Sequence, residues 1–291
     1  MTLRITVDVY SGRSNPVVEL RGRELREAVE RLQPGRRLTR DELAPLPPST
    51  LGYRGLLVEQ VGPLARGLPR TFRVANGDLL GPGLAHRAAD PEVEEFICRS
   101  SGPLRRLRLG RDFFLILGKE IGRLREIRYR YPWRHHPWPL SHRCRCAPLY
   151  EPQWWNVPQR QPVNNCYNYA TNYRTDTFAQ PGQAAGAIYT SLSCAAVRPA
   201  ALADELIDSP AANNRCPKEG HLVALVVWPN GDFHWYRKGR NGFWTHKPGS
   251  TPVTNVDNSG HLIPDPRTAD RGPYTQFCTF MVVMHGHIKI Q

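Results

Sequence analysis

The 291-residue sequence has no apolar run long enough to cross a lipid bilayer. Its longest apolar runs, at 113–117 and 222–228, fall short of the roughly 18 residues that a membrane-spanning helix needs. The N-terminus, MTLRITVDVY, alternates apolar and polar residues and lacks the charged and then apolar stretches of a secretory signal. The sequence therefore predicts a protein without a membrane span that stays inside the cell or was already processed, and the simpler expected location is the cytoplasm.

The sequence also lacks the patterns of a complete disulfide framework and of a cofactor site. Its seven cysteines are odd in number and irregularly spaced, so at least one thiol must be free. Reduced cysteines fit the cytoplasmic expectation. No glycine-rich phosphate loop or dinucleotide fingerprint is present, so no organic cofactor is predicted.

Positive charge is concentrated in the first half of the chain. Residues 1–150 contain 27 basic and 16 acidic side chains, whereas residues 151–291 contain 12 and 10. The segment 128–162 is rich in proline, arginine and aromatic residues and shows neither helical nor strand periodicity. We therefore predict a basic domain (1–127), a connector (128–162) and a second domain (163–291). The basic domain is expected to attract an acidic, peptide-like substrate or another anionic partner.

Hydrophobic periodicity predicts an α+β protein in both halves. In the first half, strands are predicted at 3–9, 55–61 and 71–80, and helices at 24–35 and 90–99. Asn76-Gly77 predicts a hairpin turn, and Asp90 with Pro91 predicts the start of the second helix. In the second half, two strands at 222–228 and 233–237 flank the turn residues Pro229-Asn230-Gly231-Asp232.

The second half contains a cysteine and two histidines in an order that suits nucleophilic catalysis. Cys166 follows the capping residues Asn164 and Asn165, so it is expected in the first turn of a helix. The positive end of a helix lowers the pKa of a thiol and increases its thiolate fraction. His221 opens one predicted strand and His234 lies in the next, so the two imidazoles are expected on one face.

This order of residues resembles the compact papain-like fold of NlpC-type cell-wall peptidases and CHAP amidases. The resemblance covers about residues 160–291. It implies a helix packed on an antiparallel sheet, with Cys166 as nucleophile, His221 as base and His234 as its orienting partner. The implied reaction is thiol-dependent hydrolysis or acyl transfer at the amide bond of a peptide-like substrate. The phrases NNCYNYA, TFAQPG, DFHWYR and HKPG differ locally from those families and look like the signatures of a separate family.

Other assignments within the same half remain open. His234 is an alternative base, with His246 or Asp232 beside it. Gln159 or Gln161 is a candidate donor to an oxyanion, together with the backbone amide of Cys166. The sequence does not decide between these assignments, and it predicts no oligomeric state.

The connector suggests two functions of other kinds. Histidine and thiolate groups are ligands that zinc or copper prefers, and the connector contains five of them: His135, His136, His142, Cys144 and Cys146. Arginine also alternates with aromatic residues there, which suits phosphate contacts and base stacking. The chain is thus alternatively a metal-binding protein, or a nucleic-acid-binding protein that uses Arg128, Arg130 and Arg134 and has a non-catalytic C-terminal domain.

Overall fold

The structure is a computed structural model, and it describes most of the chain. The described residues are 1–33, 35, 49–81, 84, 87–90, 92–130 and 144–291, with the backbone alone at 125–130. They form two compact units. Tyr10–Ser14 and Ser49–Leu51 belong with 144–291 in unit 2, and the other described residues form unit 1. Both units combine helices with antiparallel strands, which confirms the α+β fold class.

Unit 1 is built on a six-stranded antiparallel sheet. In chain order its strands are β1 (Thr2–Val7), β2 (Val17–Leu20), β3 (Leu56–Val61), β4 (Thr71–Ala75), β5 (Asp78–Leu80) and β6 (Arg87–Ala88). Their order across the sheet is β2-β1-β3-β4-β5-β6. Leu3, Ile5 and Val7 are buried on one face of β1, as the alternating pattern predicts.

Three helices complete unit 1: α1 (Gly22–Arg31), α2 (Val93–Cys98) and α3 (Arg111–Arg130). The predicted Asn76-Gly77 turn joins β4 to β5, and both of its residues have positive φ, as a two-residue hairpin turn requires. Asp90 does not cap α2, which begins three residues later, and its carboxylate instead accepts a hydrogen bond from the Glu92 amide at 2.8 Å. Helix α3 continues to Arg130, inside the segment predicted as connector.

Strand β1 is shorter than predicted because the chain turns at a buried carboxylate. Asp8 forms hydrogen-bonded ion pairs with Arg54 at 2.6 Å and with Arg73 at 2.8 Å. Burial opposes ionisation of Asp8, but the two guanidinium groups outweigh it and hold the pKa of this carboxyl well below its usual range. The ion pairs therefore fix the end of β1 against β3 and β4.

Unit 2 contains a five-stranded antiparallel sheet and three short helices. The strands are β7 (Ile207–Asp208), β8 (His221–Trp228), β9 (Asp232–Lys238), β10 (Trp244–His246) and β11 (Gln276–Val283). The helices are α4 (Pro152–Trp155), α5 (Cys166–Thr171) and α6 (Cys194–Ala203). The sheet order is β10-β9-β8-β11-β7, so β8 is central. Every residue of β8 is buried, which explains why its sequence is a continuous apolar run without alternation.

Two disulfides cross-link unit 2. Cys144 pairs with Cys216, and Cys194 at the start of α6 pairs with Cys278 in β11. The expectation that the cysteines are reduced is therefore wrong for these four residues. Cys98, Cys146 and Cys166 are free thiols, in agreement with the odd count. Among the described helices, none combines the length and apolar character that crossing a membrane requires.

Candidate functional site

Helix α5 begins at Cys166 because Asn165 caps it. The Asn165 side-chain oxygen accepts hydrogen bonds from the amides of Tyr167 at 3.0 Å and Asn168 at 3.2 Å. In return, the Asn168 side-chain oxygen accepts a hydrogen bond from the Asn165 amide at 2.9 Å. This reciprocal pair satisfies amides that the first helical turn leaves without partners. The helix start predicted from the sequence is therefore correct.

The Cys166 thiol lies in the hydrophobic core and not in a cleft. Its residue is 0% exposed and packs in a cluster with Tyr167, Leu225 and Trp235. Burial raises the pKa of the thiol well above its usual value, and the effect exceeds the opposing influence of the Ser11 hydroxyl. Its sulfur lies 4.0 Å from the carbonyl oxygen of Phe233, and the Ser11 hydroxyl that acts on its pKa is itself 2.6 Å from Nδ1 of His234. The predicted nucleophile is thus enclosed in the core rather than exposed to a substrate.

His221 lies at the start of β8, as predicted, but its ring has a different neighbour. Its Nε2 lies 2.7 Å from the carbonyl oxygen of Ala170 in α5, so this nitrogen carries the proton and donates. The Nδ1 atom is buried and has no hydrogen-bond partner in the described part of the chain. Burial lowers the pKa of His221 to about 3, so the ring is neutral across the physiological range. His221 ties α5 to the central strand of the sheet.

The polar cluster that contains His234 and His246 is a linear chain of hydrogen bonds that begins at Ser11. The Ser11 hydroxyl is 2.6 Å from Nδ1 of His234. Nε2 of His234 is 3.0 Å from Nδ1 of His246, and Nε2 of His246 is 3.0 Å from the carbonyl oxygen of Val256. The structure therefore does bring together His234 and His246, the pair in the alternative catalytic assignment.

The last acceptor fixes the direction of every bond in this chain. A carbonyl oxygen only accepts, so Nε2 of His246 must carry a proton, and its Nδ1 must accept from Nε2–H of His234. Nδ1 of His234 then accepts from the Ser11 hydroxyl, whose oxygen accepts from the Gly249 amide at 3.2 Å. Burial lowers the pKa of His246 to about 4, which agrees with a neutral ring in this position.

Asp232 anchors the loop that carries Ser11. Its carboxylate accepts hydrogen bonds from the backbone amides of Ser11, Gly12 and Arg13 and from the Tyr274 hydroxyl. Burial raises the pKa of Asp232 to about 6 even though these donors favour the ionised form. Gly12 is required there because a Cβ atom would overlap the Phe233 ring. Asp232 is therefore a backbone clamp rather than the orienting partner of an imidazole.

Lys247 makes a second backbone clamp beside the first. Its buried ammonium group donates to the carbonyl oxygens of Gln161 and Asn164 at 2.6 Å and of Gly249 at 2.5 Å. These bonds hold the start of α5 against the turn after β10. Gln161, predicted as an oxyanion donor, instead donates its side-chain amide to the Ser250 carbonyl at 3.2 Å, and Gln159 is exposed.

The connector residues contribute little to a described site. His135, His136, His142 and Arg134 lie outside the described residues. Arg128 and Arg130 lie in the last turn of α3, where only the backbone is described. Cys144 is not an available metal ligand because its sulfur is oxidised in the disulfide with Cys216, whereas Cys146 is free and exposed. Among the described residues, no cluster of three or more histidine, cysteine or acidic side chains is arranged to hold a metal ion.

Sequence reasoning missed three residues that organise this cluster: Ser11, Lys247 and Tyr274. Ser11 lies in a stretch that has the composition of an ordinary turn, and its partner His234 is 223 residues away in the sequence. Lys247 stands in the phrase HKPG, which could have drawn attention to it, because a lysine between a strand and a Pro-Gly turn is well placed to reach backbone carbonyls. Tyr274 carries no local signal.

The described residues thus define a disulfide-linked α+β protein whose polar cluster is closed to solvent. A curated relative is "Insoluble matrix shell protein 1" of Ruditapes philippinarum, which is 48% identical over 140 residues. The match covers 91% of the relative and 47% of this chain, so the chain belongs to the family of that protein. No family model matches the chain, and no solved structure matches it.

These findings correct two interpretations of the sequence. The classification as a cytoplasmic cysteine hydrolase with a thiol nucleophile is wrong, because the relative is by name a shell matrix protein and Cys166 is enclosed in the core. The cytoplasmic location is wrong for a second reason as well. Two disulfides link the chain, and disulfides persist mainly in oxidising compartments outside the cytosol.

Proposed function

We propose that this protein is a secreted structural component of an insoluble extracellular matrix. The observation that carries the proposal is the 48% identity that extends over 91% of a protein named as an insoluble shell matrix protein. Identity at this level over nearly the whole relative makes a shared role the simplest expectation for the matching part of the chain. We extend the same role to the rest of the chain, which the match does not cover.

The two disulfides support secretion independently of the relative. Both lie in unit 2 and join cysteines that are 72 and 84 positions apart. Cross-links that close such long loops restrict the unfolded chain strongly and stabilise the folded state in an oxidising environment. A structural protein that stays outside the cell for long periods benefits from this stabilisation, because no chaperone replaces or refolds it there.

The polar cluster of unit 2 supports a structural role rather than catalysis. Ser11, His234 and His246 use their donors and acceptors on one another or on the backbone, and all three residues are 0% exposed. A substrate would need to displace these bonds before it could reach any reactive atom. Fully satisfied buried networks rigidify a fold and specify a single arrangement of its elements.

The redox state and location of the native protein test the proposal. Source tissue is quenched in acid, treated with N-ethylmaleimide, and separated into cytosolic, soluble extracellular and insoluble extracellular fractions. Mass spectrometry of digested fractions should find the protein in the insoluble extracellular fraction, with Cys144 joined to Cys216 and Cys194 joined to Cys278. Recovery from the cytosol with all seven thiols modified would refute both secretion and the matrix role. Recovery of the oxidised protein only in the soluble extracellular fraction would refute the matrix role.

A further inference from the structure

Unit 1 contains a pocket that none of the functions considered above uses. It lies between α1, α2 and α3 and has a volume of about 640 Å³, within the range of roughly 300–1,000 Å³ that small-molecule sites occupy. Its floor is formed by the buried side chains of Phe96, Cys98 and Ile121. Phe114 and Leu115 of α3 form an apolar wall, and Leu115 is 55% exposed. The pocket thus offers a continuous apolar surface that is accessible from solvent.

Helix α3, which forms this wall, has a glycine with free space around it on the pocket side. Gly118 lines the pocket, and a Cβ atom added to it would meet no other described atom within 4 Å. A glycine destabilises a helix relative to alanine, and packing against a described neighbour does not explain this one. Its effect on the pocket is to leave room beside Phe114 and Leu115 for another apolar group.

Two cations at the mouth of the pocket have no acidic partner among the described residues. Arg99 and Arg111 line it, and the side chain of neither forms a hydrogen bond or an ion pair with any residue that the structure describes. The Arg99 guanidinium lies 5.6 Å from the centroid of the Phe96 ring, which places its charge above the apolar floor. A cation held there attracts an anionic group that enters with an apolar chain.

The other charged groups of the lining are already compensated. Arg31 forms a hydrogen-bonded ion pair with Asp90 at 2.8 Å and lies 3.7 Å from Glu92. Glu95 is also engaged in an interaction. Within the described part of the chain, the uncompensated charge of the pocket is therefore positive and belongs to Arg99 and Arg111.

We propose that this pocket binds an amphipathic anion, whose aliphatic chain lies on Phe96 and Ile121 and whose carboxylate meets Arg99 and Arg111. The apolar floor selects a chain of several methylene groups, since each methylene that is buried strengthens binding through the hydrophobic effect. The arginines select a negative head group, because a guanidinium binds a carboxylate through charge-assisted hydrogen bonds. The ligand class is a medium- or long-chain fatty carboxylate.

Calorimetric titration of the full-length, oxidised chain tests the ligand class. Dodecanoate, kept below its micelle concentration, should bind with a stoichiometry of one. Acetate has the head group without the chain, and dodecyltrimethylammonium has the chain with the opposite charge, so each should bind at least tenfold more weakly. Equal binding of the two twelve-carbon compounds would overturn the proposal, since it would indicate adsorption to any apolar surface. Absence of dodecanoate binding would overturn it as well.

Matched variants of α3 and its flanks test the location. Gly118→Leu fills the pocket, whereas Gly122→Leu places the same side chain on the same helix outside the lining, where an added Cβ atom also meets no described atom within 4 Å. Both replacements favour the helix, so both proteins should melt at or above the wild-type temperature. Gly118→Leu should weaken dodecanoate binding at least tenfold and Gly122→Leu should not. Equal affinities in the two variants would place the ligand elsewhere and refute the site.

Matched variants that remove charge test the site assigned to the carboxylate head group. Arg99→Gln combined with Arg111→Gln removes two positive charges from the lining, and Arg108→Gln combined with Lys119→Gln removes two exposed charges outside it. The first pair should weaken dodecanoate binding at least tenfold, and the second pair should change it less than twofold. If the two pairs weaken binding equally, the attraction comes from net charge and the assigned head-group site is wrong.

Discussion

Acidification tests whether the buried histidines of unit 2 are held neutral by the fold. Burial lowers the pKa of His221 to about 3 and of His246 to about 4, whereas an imidazole in an unfolded chain has a pKa of about 6.5. Below a pH of about 6.5, these two histidines therefore bind protons in the unfolded chain but not in the folded chain. The free energy of unfolding is highest above this pH and decreases as the pH falls toward the folded-state values.

The expected size of the loss follows from these pKa values. At pH 4.5, each histidine lowers the free energy of unfolding by about 2 to 3 kcal/mol relative to neutral pH. Asp232 acts in the opposite direction, because its pKa is raised to about 6 and its buried negative charge destabilises the fold above that pH. Acidification to pH 4.5 removes about 2 kcal/mol of this penalty. His221, His246 and Asp232 together therefore predict a loss of about 3 kcal/mol between pH 7 and pH 4.5.

Urea unfolding followed by tryptophan fluorescence measures this loss in unit 2. All tryptophans among the described residues belong to that unit: Trp154, Trp155, Trp228, Trp235 and Trp244. The Asp8 carboxylate of unit 1, whose pKa is lowered, gives up its stabilisation only below the unfolded value of about 3.9, so the chosen pH avoids it.

A pair of histidine variants assigns the effect to a residue. His221→Phe removes one buried titrating group, and the difference in free energy between pH 7 and pH 4.5 should shrink by about 2 to 3 kcal/mol whatever its stability at pH 7. His261→Gln changes an exposed ring and should leave that difference unaltered. Two results would contradict neutral, buried histidines: a wild-type free energy of unfolding that is the same at both pH values, or a His221→Phe variant that retains the full wild-type loss.

Two further predictions concern the cysteines. Replacing Cys194 and Cys278 together by serine should lower the free energy of unfolding by about 4 kcal/mol, because the unfolded chain regains the entropy of an 84-residue loop, and an unchanged urea midpoint would contradict this. Iodoacetamide added to the native, oxidised protein should modify Cys146, which is exposed, while Cys98 and Cys166 react only in denaturant. Mass spectrometry of the digest distinguishes the sites, and early labelling of Cys166 would show that its thiol is accessible and not buried.

Local elements of the fold could be predicted from the sequence because neighbouring residues determine them. The alternation of β1 and the Asn76-Gly77 hairpin depend on residues within a few positions of one another, and the structure contains both. The cap of α5 by Asn165 is also local, since its hydrogen bonds reach only two and three residues ahead. In each case the sequence pattern and the physical cause lie in the same short segment.

The His234–His246 pair was predicted, since its residues are only 12 positions apart, but the rest of the candidate site could not be predicted because its contacts are distant in the sequence. Ser11 lies 223 positions from His234, and the Ser11 amide lies 221 positions from the carboxylate of Asp232. The disulfides join cysteines 72 and 84 positions apart, and an odd count with irregular spacing leaves their pairing open. Periodicity identifies which face of an element is buried, but it does not identify which distant loop covers that face.

Cys166 shows how a correct local prediction led to a wrong chemical one. The sequence correctly placed the thiol at the start of a helix, where the helix dipole lowers a pKa by a modest amount. Helix α5 has only six residues, however, and the side chain points into a cluster with Tyr167 and Trp235, where burial disfavours the thiolate far more strongly. The two effects have opposite signs, and only the packing of distant residues decides between them.

Distant packing also distinguishes a catalytic constellation from a structural one with identical residue types. A serine, two histidines and an aspartate are the groups of many hydrolases, and here Ser11, His234 and His246 form a continuous relay. In a hydrolase, however, the serine oxygen faces a substrate and the last imidazole faces a group that stabilises its protonated form. In this relay His246 ends on the Val256 carbonyl, Asp232 holds backbone amides, and the pKa of His246 is lowered rather than raised. Proton transfer along the relay would leave a buried positive charge with no described carboxylate bonded to it, so the arrangement opposes base catalysis and stabilises the folded chain.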